Sequence, residues 1–444
     1  MLAMKEFCTR RQRLLDMMQD NSICIMPAAN LVTRSRDTEY AFRQDSYFHY
    51  LCGFPEPQAW LVLSNQRRSS ARSKTSLSVL FCLDNDPTAE LWQGKRIGPL
   101  QAKKSFELNL AFSLDELDEQ LLTLLDGHDH LYFAQGHNSE ADELVFSLLE
   151  ALRDAPKQSM QAPSSIIDVR PLLDEMRLIK SAAEVAIMRR AAEISGQAHQ
   201  RAMQRCRAGL NEYHLEAQLH YEFAMNGAKH PAYGSIVGSG ANACILHYTQ
   251  NDQPLNDGDL VLIDAGCELQ GYAADITRTF PVSGRFSPAQ KILYELVLEA
   301  QQAAFAQVKP GNTFKQVSDA AVSVLTQGLI KLGLLSGSLA FNLQKQLYRE
   351  YFMHGIGHWL GLDVHDVGSY KFAGEDRPFE PGMVLTIEPG LYVAHDADVD
   401  TQWQGIGIRI EDNLLVTEQG YDNLTKDTPK RIAEIESLMA QQSV

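Results

Sequence analysis

Two aspartates flank a tight turn in the segment DLVLIDAGCELQGYAADITRTFPV, which is typical of a β-hairpin. If the hairpin is centred between Leu269 and Gln270, Asp264 lies directly opposite Asp275, with the two Cβ atoms about 4.5–5.5 Å apart. Two ionised carboxylates this close repel each other between apolar strands, and a divalent cation between them would remove the conflict. A single aspartate here would more often cap a turn, so the matched pair is what predicts a metal site.

Two glutamates lie in apolar strand-like runs nearer the C-terminus. Glu388 ends the apolar run of EPGMVLTIEPGLYV, and Glu411 lies within GIGIRIEDNLLVTEQGY. Strand alternation puts Arg409 and Glu411 on one face and Asp412 on the other, where we expect Asp412 to meet solvent. Either glutamate alone is more often an edge-strand or salt-bridge acid, so only the set of four acids points to a site.

Three histidines lie close together in FMHGIGHWLGLDVHDVG, namely His354, His358 and His365. The interleaved glycines let the backbone approach a neighbour closely, and the helical zinc motif H-E-x-x-H is excluded because its glutamate is missing. Oxygen-rich sites with a nitrogen ligand suit manganese, iron, cobalt or zinc. Two such ions can lower the pKa of a bridging water and polarise a carbonyl. These residues therefore predict amide hydrolysis without a covalent enzyme intermediate.

A glycine-rich segment offers a competing interpretation. Residues 238–243 match the loose dinucleotide pattern G-x-G-x-x-A, but the polar segment that follows is not the long helix that the pattern requires. We interpret the segment as a glycine turn that presents His247. The sequence contains no G-x-S-x-G nucleophile motif.

The order of predicted elements indicates two domains. Residues 1–172 alternate buried strands, such as AWLVLS and SLSVLFCL, with amphipathic helices, such as SEADELVFSLLEALRD, which is typical of an α/β domain. A boundary is predicted near residues 168–174. Ser181 and Glu184 then form a capping box that predicts the start of a helix, and residues 173–444 combine further strand pairs and helices.

The composition restricts the cellular compartment and the classes of binding partner that we expect for this protein. The 444 residues carry a formal charge of −16, which argues against a nucleic-acid partner. No run approaches the roughly 18 apolar residues of a membrane span, and the N-terminus has no apolar signal region. The seven scattered cysteines form no C-x-x-C, which is typical of reduced thiols. We therefore expect a cytoplasmic protein with no membrane partner.

Long segments of the sequence resemble the pita-bread metallopeptidases. VLIDAGCELQGYAADITRTFPV, HGIGHWLGLDVHDVG, LTIEPGLYV and GIGIRIEDNLLVT are similar to the signature segments of that family. EYAFRQDSYFHYLCGFPEPQAWLVL and AELWQGKRIG resemble the N-terminal domain of its bacterial aminopeptidase P (Xaa-Pro aminopeptidase) branch. The resemblance implies an α/β N-terminal domain followed by an α+β pita-bread (creatinase/aminopeptidase-like) catalytic domain. It also implies a metal-dependent aminopeptidase that releases the first residue from peptides with proline second.

The resemblance assigns roles to individual residues. It implies two divalent ions, with manganese expected, held by five ligands: Asp264, Asp275, His358, Glu388 and Glu411. Asp275 and Glu411 would each bridge the ions, and Glu388 would also shuttle a proton. A further set would act in catalysis and substrate binding: His247, His354, His365 and Arg409. Tyr392 and Trp92 would border the substrate pocket. In relatives a residue like Trp92 can reach a neighbouring subunit's site, which implies a homodimer or homotetramer.

Three other functions are compatible with the same fold. A prolidase shares the site but prefers dipeptides. A non-catalytic binding scaffold typically loses metal ligands, whereas all five ligand positions are filled here, and a creatinase-like amidinohydrolase does not need this metal set. The likeness to the aminopeptidase P N-terminal domain favours the aminopeptidase.

Overall fold

The computed structural model describes residues 2–66 and 76–441. The chain divides into two compact units, Met1–Met176 and Arg177–Val444. This division falls inside the helix Arg170–Leu178, whereas the boundary that we predicted lies after residue 172. Among the described residues, no helix combines the length and the apolar character needed to span a bilayer.

The N-terminal unit is built around one mixed β-sheet. Its strands are Ser22–Pro27 (β1), Thr33–Ser35 (β2), Thr38–Glu39 (β3), Trp60–Ser64 (β4), Leu77–Cys82 (β5), Leu110–Ser113 (β6), His130–Phe133 (β7) and Ser165–Ile167 (β8). Its helices are Met4–Met17 (α1), Ser46–Cys52 (α2), Pro87–Gln93 (α3), Gly98–Ser105 (α4), Leu117–Leu125 (α5), Ser139–Arg153 (α6) and the boundary helix Arg170–Leu178 (α7). The sheet order is β6-β5-β4-β1-β7-β8, while β2 and β3 form a separate hairpin.

Burial explains why the central strands of this sheet are mostly apolar. β1 pairs with β4 on one side and with β7 on the other, and all six of its residues are buried. Apolar side chains of α5 and α6 pack with those of the sheet in one core cluster. The two strands that we predicted from AWLVLS and SLSVLFCL are confirmed as β4 and β5, an antiparallel pair.

The C-terminal unit combines helices with several small sheets. Its helices are Ala182–Arg205 (α8), Glu212–Met225 (α9), Pro288–Phe305 (α10), Phe314–Lys331 (α11), Leu339–Lys345 (α12) and Ile432–Met439 (α13). Its strands are His230–Pro231 (β9), Ile236–Ser239 (β10), Leu260–Asp264 (β11), Cys267–Leu269 (β12), Tyr272–Ala273 (β13), Thr277–Pro281 (β14), Lys371–Phe372 (β15), Glu375–Asp376 (β16), Val384–Ile387 (β17), Gly390–Val393 (β18), Ile406–Arg409 (β19), Asp412–Thr417 (β20) and Gly420–Asn423 (β21). The sheet orders that matter for the site are β10-β11-β14, β13-β12-β9, β17-β20-β21 and β18-β19.

Helix α8 begins at the capping box that the sequence predicts. The Ser181 side chain accepts a hydrogen bond from the Glu184 backbone, and the Glu184 side chain accepts one from the Ser181 backbone. These bonds satisfy backbone donors that the first helical turn would otherwise leave unpaired. The helix then runs for 24 residues, and its buried face joins the core cluster of this unit.

The hairpin that carries the two aspartates has a different register from the predicted one. Gln270 and Gly271 both have positive φ, 54° and 87°, as a type I′ turn requires, so the turn is centred between them. As a result Asp264 pairs with Thr277, and the predicted direct pairing with Asp275 is wrong. The two aspartates are diagonal neighbours instead, a relation that still brings side chains within reach of each other.

Candidate metal centre

A cavity of about 550 Å³ in the C-terminal unit gathers side chains that are far apart in the sequence. It is lined by all five predicted metal ligands: Asp264, Asp275, His358, Glu388 and Glu411. Four other predicted site residues line the same cavity: His247, His354, His365 and Arg409. The fold therefore brings four acids and four histidines to one concave surface.

Asp275, His358 and Glu411 form the tightest group in the cavity. One possible ligand atom from each of the three lies within 4.8 Å of the other two. His358 Nδ1 donates a hydrogen bond to the Trp359 carbonyl at 2.9 Å, which leaves Nε2 as the atom that faces Asp275 Oδ2 at 3.3 Å. A carbonyl partner on the far nitrogen is the usual arrangement for a histidine that ligates a metal.

Asp264 and Glu388 complete the set of acids around this trio. Glu388 Oε1 lies 3.8 Å from His358 Nε2. Asp264 Oδ2 accepts a hydrogen bond from Arg409 at 2.7 Å, and Asp264 Oδ1 lies 2.6 Å from the Tyr233 hydroxyl. That hydroxyl also contacts Asp275 Oδ1, and because a phenol has one proton it donates to only one aspartate at a time.

Burial raises the pKa values of three of the four acids, whereas at Asp275 burial is outweighed by the His358 imidazole, which holds the pKa below its usual value. Burial raises the pKa of Glu388 to about 7. Burial and then the nearby charge of Asp275 also raise the pKa values of Glu411 and Asp264. Divalent cations would supply the positive charge that lets all four carboxylates ionise together. The donor set, carboxylate oxygens with one imidazole nitrogen, fits ions such as manganese or zinc.

A hydrogen-bonded chain forms one wall of the cavity. Arg409 donates to the Tyr392 hydroxyl at 3.0 Å, and that hydroxyl lies 2.8 Å from His354 Nε2. His354 Nδ1 lies 2.8 Å from the Gly355 carbonyl, so this nitrogen is the donor and Nε2 accepts from Tyr392. Burial, and then the charge of Arg409, lower the pKa of His354 to about 4, which makes the ring neutral at pH 7.

The two residues predicted to border the substrate pocket lie in different places. Tyr392 is only 3% exposed and supports His354 and Arg409 from behind the cavity wall. Trp92 belongs to α3 of the N-terminal unit, and 83% of its surface is exposed. The contact of either residue with substrate stays a prediction.

Close backbone packing explains one of the glycines between the histidines, Gly357. A Cβ atom at Gly357 would lie 1.9 Å from the carbonyl oxygen of Thr386, so only glycine fits there. The Thr386 N–H donates to the His358 carbonyl at 2.9 Å, which ties the histidine segment to the strand that ends beside Glu388. The predicted close approach of the backbone is confirmed at Gly357, whereas a Cβ atom at Gly355 would meet nothing closer than 4.0 Å.

Asp412 was predicted to face solvent, and this prediction is wrong. It does point away from Glu411, but its side chain is fully buried between Arg278 at 2.8 Å and Lys430 at 2.6 Å. Arg278 also donates to the Glu411 carbonyl at 2.6 Å. The back of the strand therefore packs against a buried ionic network that supports the position of Glu411.

Among the polar residues at the site that were not identified from the sequence are Tyr233, Thr277 and Asn413, and Thr249 and Tyr370 also line the cavity. Thr277 Oγ1 donates to Glu411 Oε2 at 2.7 Å. The Asn413 side chain accepts from the Asp275 N–H at 3.1 Å and donates to the Asp275 carbonyl. The only sequence signal for Thr277 was its place two residues after Asp275 on a strand, which puts both on one face. Asn413 likewise follows Glu411 by two residues, whereas Tyr233 had no comparable signal.

Comparison with known proteins identifies the family. Residues 186–418 match metallopeptidase family M24, and residues 7–132 match the aminopeptidase P N-terminal domain. The chain belongs to metallopeptidase family M24. It is 49% identical to the Xaa-Pro aminopeptidase of Escherichia coli, over 99% of this chain and 98% of that protein. It is 33% identical to human Xaa-Pro aminopeptidase 3, over 100% of this chain and 87% of that protein.

Solved structures agree with the sequence comparison. Zn-substituted E. coli aminopeptidase P in complex with product superposes with a TM-score of 0.97 at 48% identity, covering 100% of this chain and 99% of that chain. Pseudomonas aeruginosa aminopeptidase PepP gives a TM-score of 0.96 at 49% identity, covering 99% of both chains. The predicted fold class and the predicted metallopeptidase class are confirmed.

Proposed function

We propose that this enzyme is an Xaa-Pro aminopeptidase, which releases the first residue from peptides that have proline second. The observation that carries the proposal is the convergence of four acids and His358 on one cavity that His247, His354, His365 and Arg409 also line. The full-length likeness to Xaa-Pro aminopeptidases supports the substrate class. The retention of all five ligand positions favours a catalyst over a binding scaffold or a creatinase-like amidinohydrolase.

We propose that two divalent ions occupy the cavity, held by Asp264, Asp275, His358, Glu388 and Glu411. Bound there, such ions would supply a nucleophilic hydroxide near neutral pH and polarise the substrate carbonyl. The oxygen-rich donor set with a single nitrogen is compatible with manganese, iron, cobalt or zinc, and manganese is our choice among these because of the resemblance to the family. Asp275 suits a shared ligand, since its carboxylate contacts both the Tyr233 hydroxyl beside Asp264 and the His358 imidazole.

Glu388 has the position of a proton carrier. Its carboxylate lies on the cavity wall, with Oε1 3.8 Å from His358 Nε2 and Oε2 3.8 Å from His354 Nδ1. It would accept the proton of the attacking hydroxide and deliver it to the proline nitrogen. That nitrogen has no hydrogen in the substrate, so it needs a proton in order to leave.

Side chains around Glu388 would bind and orient the peptide. His247 and His365 line the cavity and would donate hydrogen bonds to the oxygen of the scissile carbonyl as negative charge develops on it. His354 and Arg409, held together by Tyr392, form the wall against which the proline ring and the following residues would lie.

We further propose a homodimer or homotetramer in the cytoplasm. Leu91 and Trp92 on α3 are 81% and 83% exposed, an apolar pair that would be buried by a second subunit. All seven cysteines are free thiols, which suits a reducing compartment. Light scattering would measure the mass, and a monomer would contradict the assembly.

The main test removes the metal and returns it. After chelation and a check that metal is gone, we expect an Xaa-Pro-Xaa tripeptide to remain uncleaved until manganese is added. The melting temperature should also fall on chelation, because ions at about 100 times their dissociation constant stabilise a fold by about 2.7 kcal/mol. Full activity or an unchanged melting temperature in the verified metal-free protein would contradict the proposal.

The same assay separates the aminopeptidase from a prolidase. An Xaa-Pro dipeptide is tested beside the Xaa-Pro-Xaa tripeptide at equal concentration. We expect faster release of the first residue from the tripeptide. Preference for the dipeptide would identify a prolidase instead.

Replacing His365 with alanine should slow turnover and leave the metal bound. The His365 ring lies 4.2 Å from the His358 ring, on the cavity wall, and is proposed to stabilise the developing oxyanion. Loss of one such donor costs about 10²–10³ in kcat. Metal content by elemental analysis and kcat on the tripeptide check the prediction. A variant that loses metal would show that His365 is itself a ligand.

A further inference from the structure

A short backbone link connects the two strands next to the aspartates. Residues 265–267, hereafter the 265–267 link, follow Asp264 directly and join β11 to β12. Two backbone hydrogen bonds, each 3.0 Å long, connect the link to the residues on either side of Asp275. A Cβ atom at Gly266 would lie 1.8 Å from the Ala274 carbonyl oxygen, so these segments are in close backbone contact. A shift of the link would therefore move both aspartates.

One face of α8 holds this link from the opposite side. His199 Nε2 lies 2.9 Å from the Ala265 carbonyl oxygen and donates to it. Ser195 Oγ accepts from the Cys267 N–H at 3.0 Å. Ser195 and His199 are one helical turn apart, so both point to the same side of the helix, and neither has any exposed surface. The helix thus supplies one donor and one acceptor to the backbone of the link.

The His199 imidazole is a donor with a fixed direction. Burial lowers the pKa of His199 to about 4, so the ring is neutral at pH 7. A neutral imidazole has one N–H, and the carbonyl partner places it on Nε2. Nδ1 has no hydrogen-bond partner among the described residues. The ring's polar contacts are with backbone on both sides of the site: the Ala265 carbonyl of the link, and the backbone of Ile276, which directly follows Asp275.

We infer that His199 is a positioning residue for the metal centre. By holding the Ala265 carbonyl, it fixes the backbone at the end of β11. This sets the position of the Asp264 side chain relative to that of Asp275. The inference rests on the proposed function, because it concerns the geometry of the proposed ligands. Groups that orient metal ligands from outside typically contribute about 10–100-fold to metal affinity.

The test measures manganese binding to the chelated full-length protein by titration calorimetry. His199→Phe keeps the ring bulk and removes the donor, and we expect the manganese dissociation constant to rise about 10–100-fold. His199→Gln places an amide N–H near the position of Nε2 and should restore the wild-type constant. His128→Phe is the matched control, because His128 is a buried histidine of the N-terminal unit that contacts Ser64 Oγ at 2.7 Å. It should lower the melting temperature and leave manganese binding unchanged.

The possible outcomes separate the two proposals. Wild-type protein that neither binds manganese nor cleaves the tripeptide would overturn the proposed function, and this inference with it. Wild-type protein that does both, beside a His199→Phe variant with an unchanged dissociation constant, would overturn only the inference. Equal weakening by the Phe and Gln variants would also overturn it. If His199→Phe does not fold, His199→Leu is compared with His199→Gln by the same measurement: a dissociation constant raised about 10–100-fold in the Leu variant alone is expected, and equal constants in the two variants would overturn the inference.

Discussion

Replacing Asp275 with asparagine is expected to remove bound metal and activity together. Asp275 contacts His358 directly and lies in the trio whose ligand atoms are within 4.8 Å of one another. An asparagine side chain keeps the shape but offers one neutral oxygen, which is a poor shared ligand for two cations. A loss of about 4 kcal/mol in transition-state stabilisation corresponds to about 10³ in kcat/KM, and we expect at least that.

The measurement combines elemental analysis of metal with kcat/KM on an Xaa-Pro-Xaa tripeptide. Asp319→Asn makes the same chemical change at a site where the side chain is 63% exposed, and it should behave like the wild type. A metal-replete and fully active Asp275→Asn enzyme would refute the proposed shared-ligand role.

Asp366→Asn is expected to lower the free energy of unfolding by about 3–5 kcal/mol. The Asp366 carboxylate accepts from Lys180 at 2.9 Å and from Arg177 at 2.6 Å, and all three side chains are almost fully buried. Removing the acid leaves the Lys180 ammonium inside the protein without its carboxylate, and an uncompensated buried charge is costly. Gly361 belongs to the same arrangement, because a Cβ atom there would lie 2.1 Å from Asp366 Oδ2.

Urea unfolding at pH 7 gives the free energy for the wild type and the variant. The exposed Asp319→Asn substitution again serves as the control, and a change within about 0.5 kcal/mol is expected for it. A loss below about 1 kcal/mol for Asp366→Asn would show that the ion pairs contribute little.

The stability difference at Asp366 should depend on pH in a defined direction. Burial by itself would raise the pKa of Asp366, but the charges of Lys180 and Arg177 outweigh it and hold the pKa below its usual value. A carboxyl whose pKa is lowered on folding stabilises the protein above its unfolded pKa of about 3.9 and loses that effect as the pH falls through the folded pKa. The gap between wild type and Asp366→Asn should be constant near neutrality and narrow below about pH 4. A gap that widens in acid would contradict this assignment.

The sequence predicted the membership of the site better than its geometry. Glu388 and Glu411 were not distinctive individually; they were predicted as site residues because they belong to a set of four acids in apolar segments and because the resemblance to the family implies them as ligands. The register of the hairpin depended on the turn, and nothing in LQGY marks Gln270 as a non-glycine residue with positive φ. The prediction therefore placed the turn one position too early and paired Asp264 with the wrong residue.

Local sequence patterns could not predict the polar partners of site residues that come from distant segments of the chain. Alternation correctly separated Asp412 from Glu411, but it gave no information on what covers the other face. The covering groups, Arg278 and Lys430, come from β14 and from the approach to α13, and only the folded chain brings them together. Tyr233 was missed for the same reason, since its two aspartate partners lie 31 and 42 residues further along the chain.

The two neighbouring acids at 411 and 412 have a consequence for how this strand can evolve. Glu411 faces the cavity and Asp412 faces the side chains of Arg278 and Lys430, so a slip of one residue would change both surroundings at once. In one direction Asp412 would reach the cavity and Asn413 would replace the acid between Arg278 and Lys430. In the other, Ile410 would reach the cavity and the longer Glu411 would lie between the two basic side chains. Insertions or deletions here would damage the catalytic face and the stability of the fold in a single event. Homologous enzymes should vary in length in their surface loops and keep this strand free of gaps.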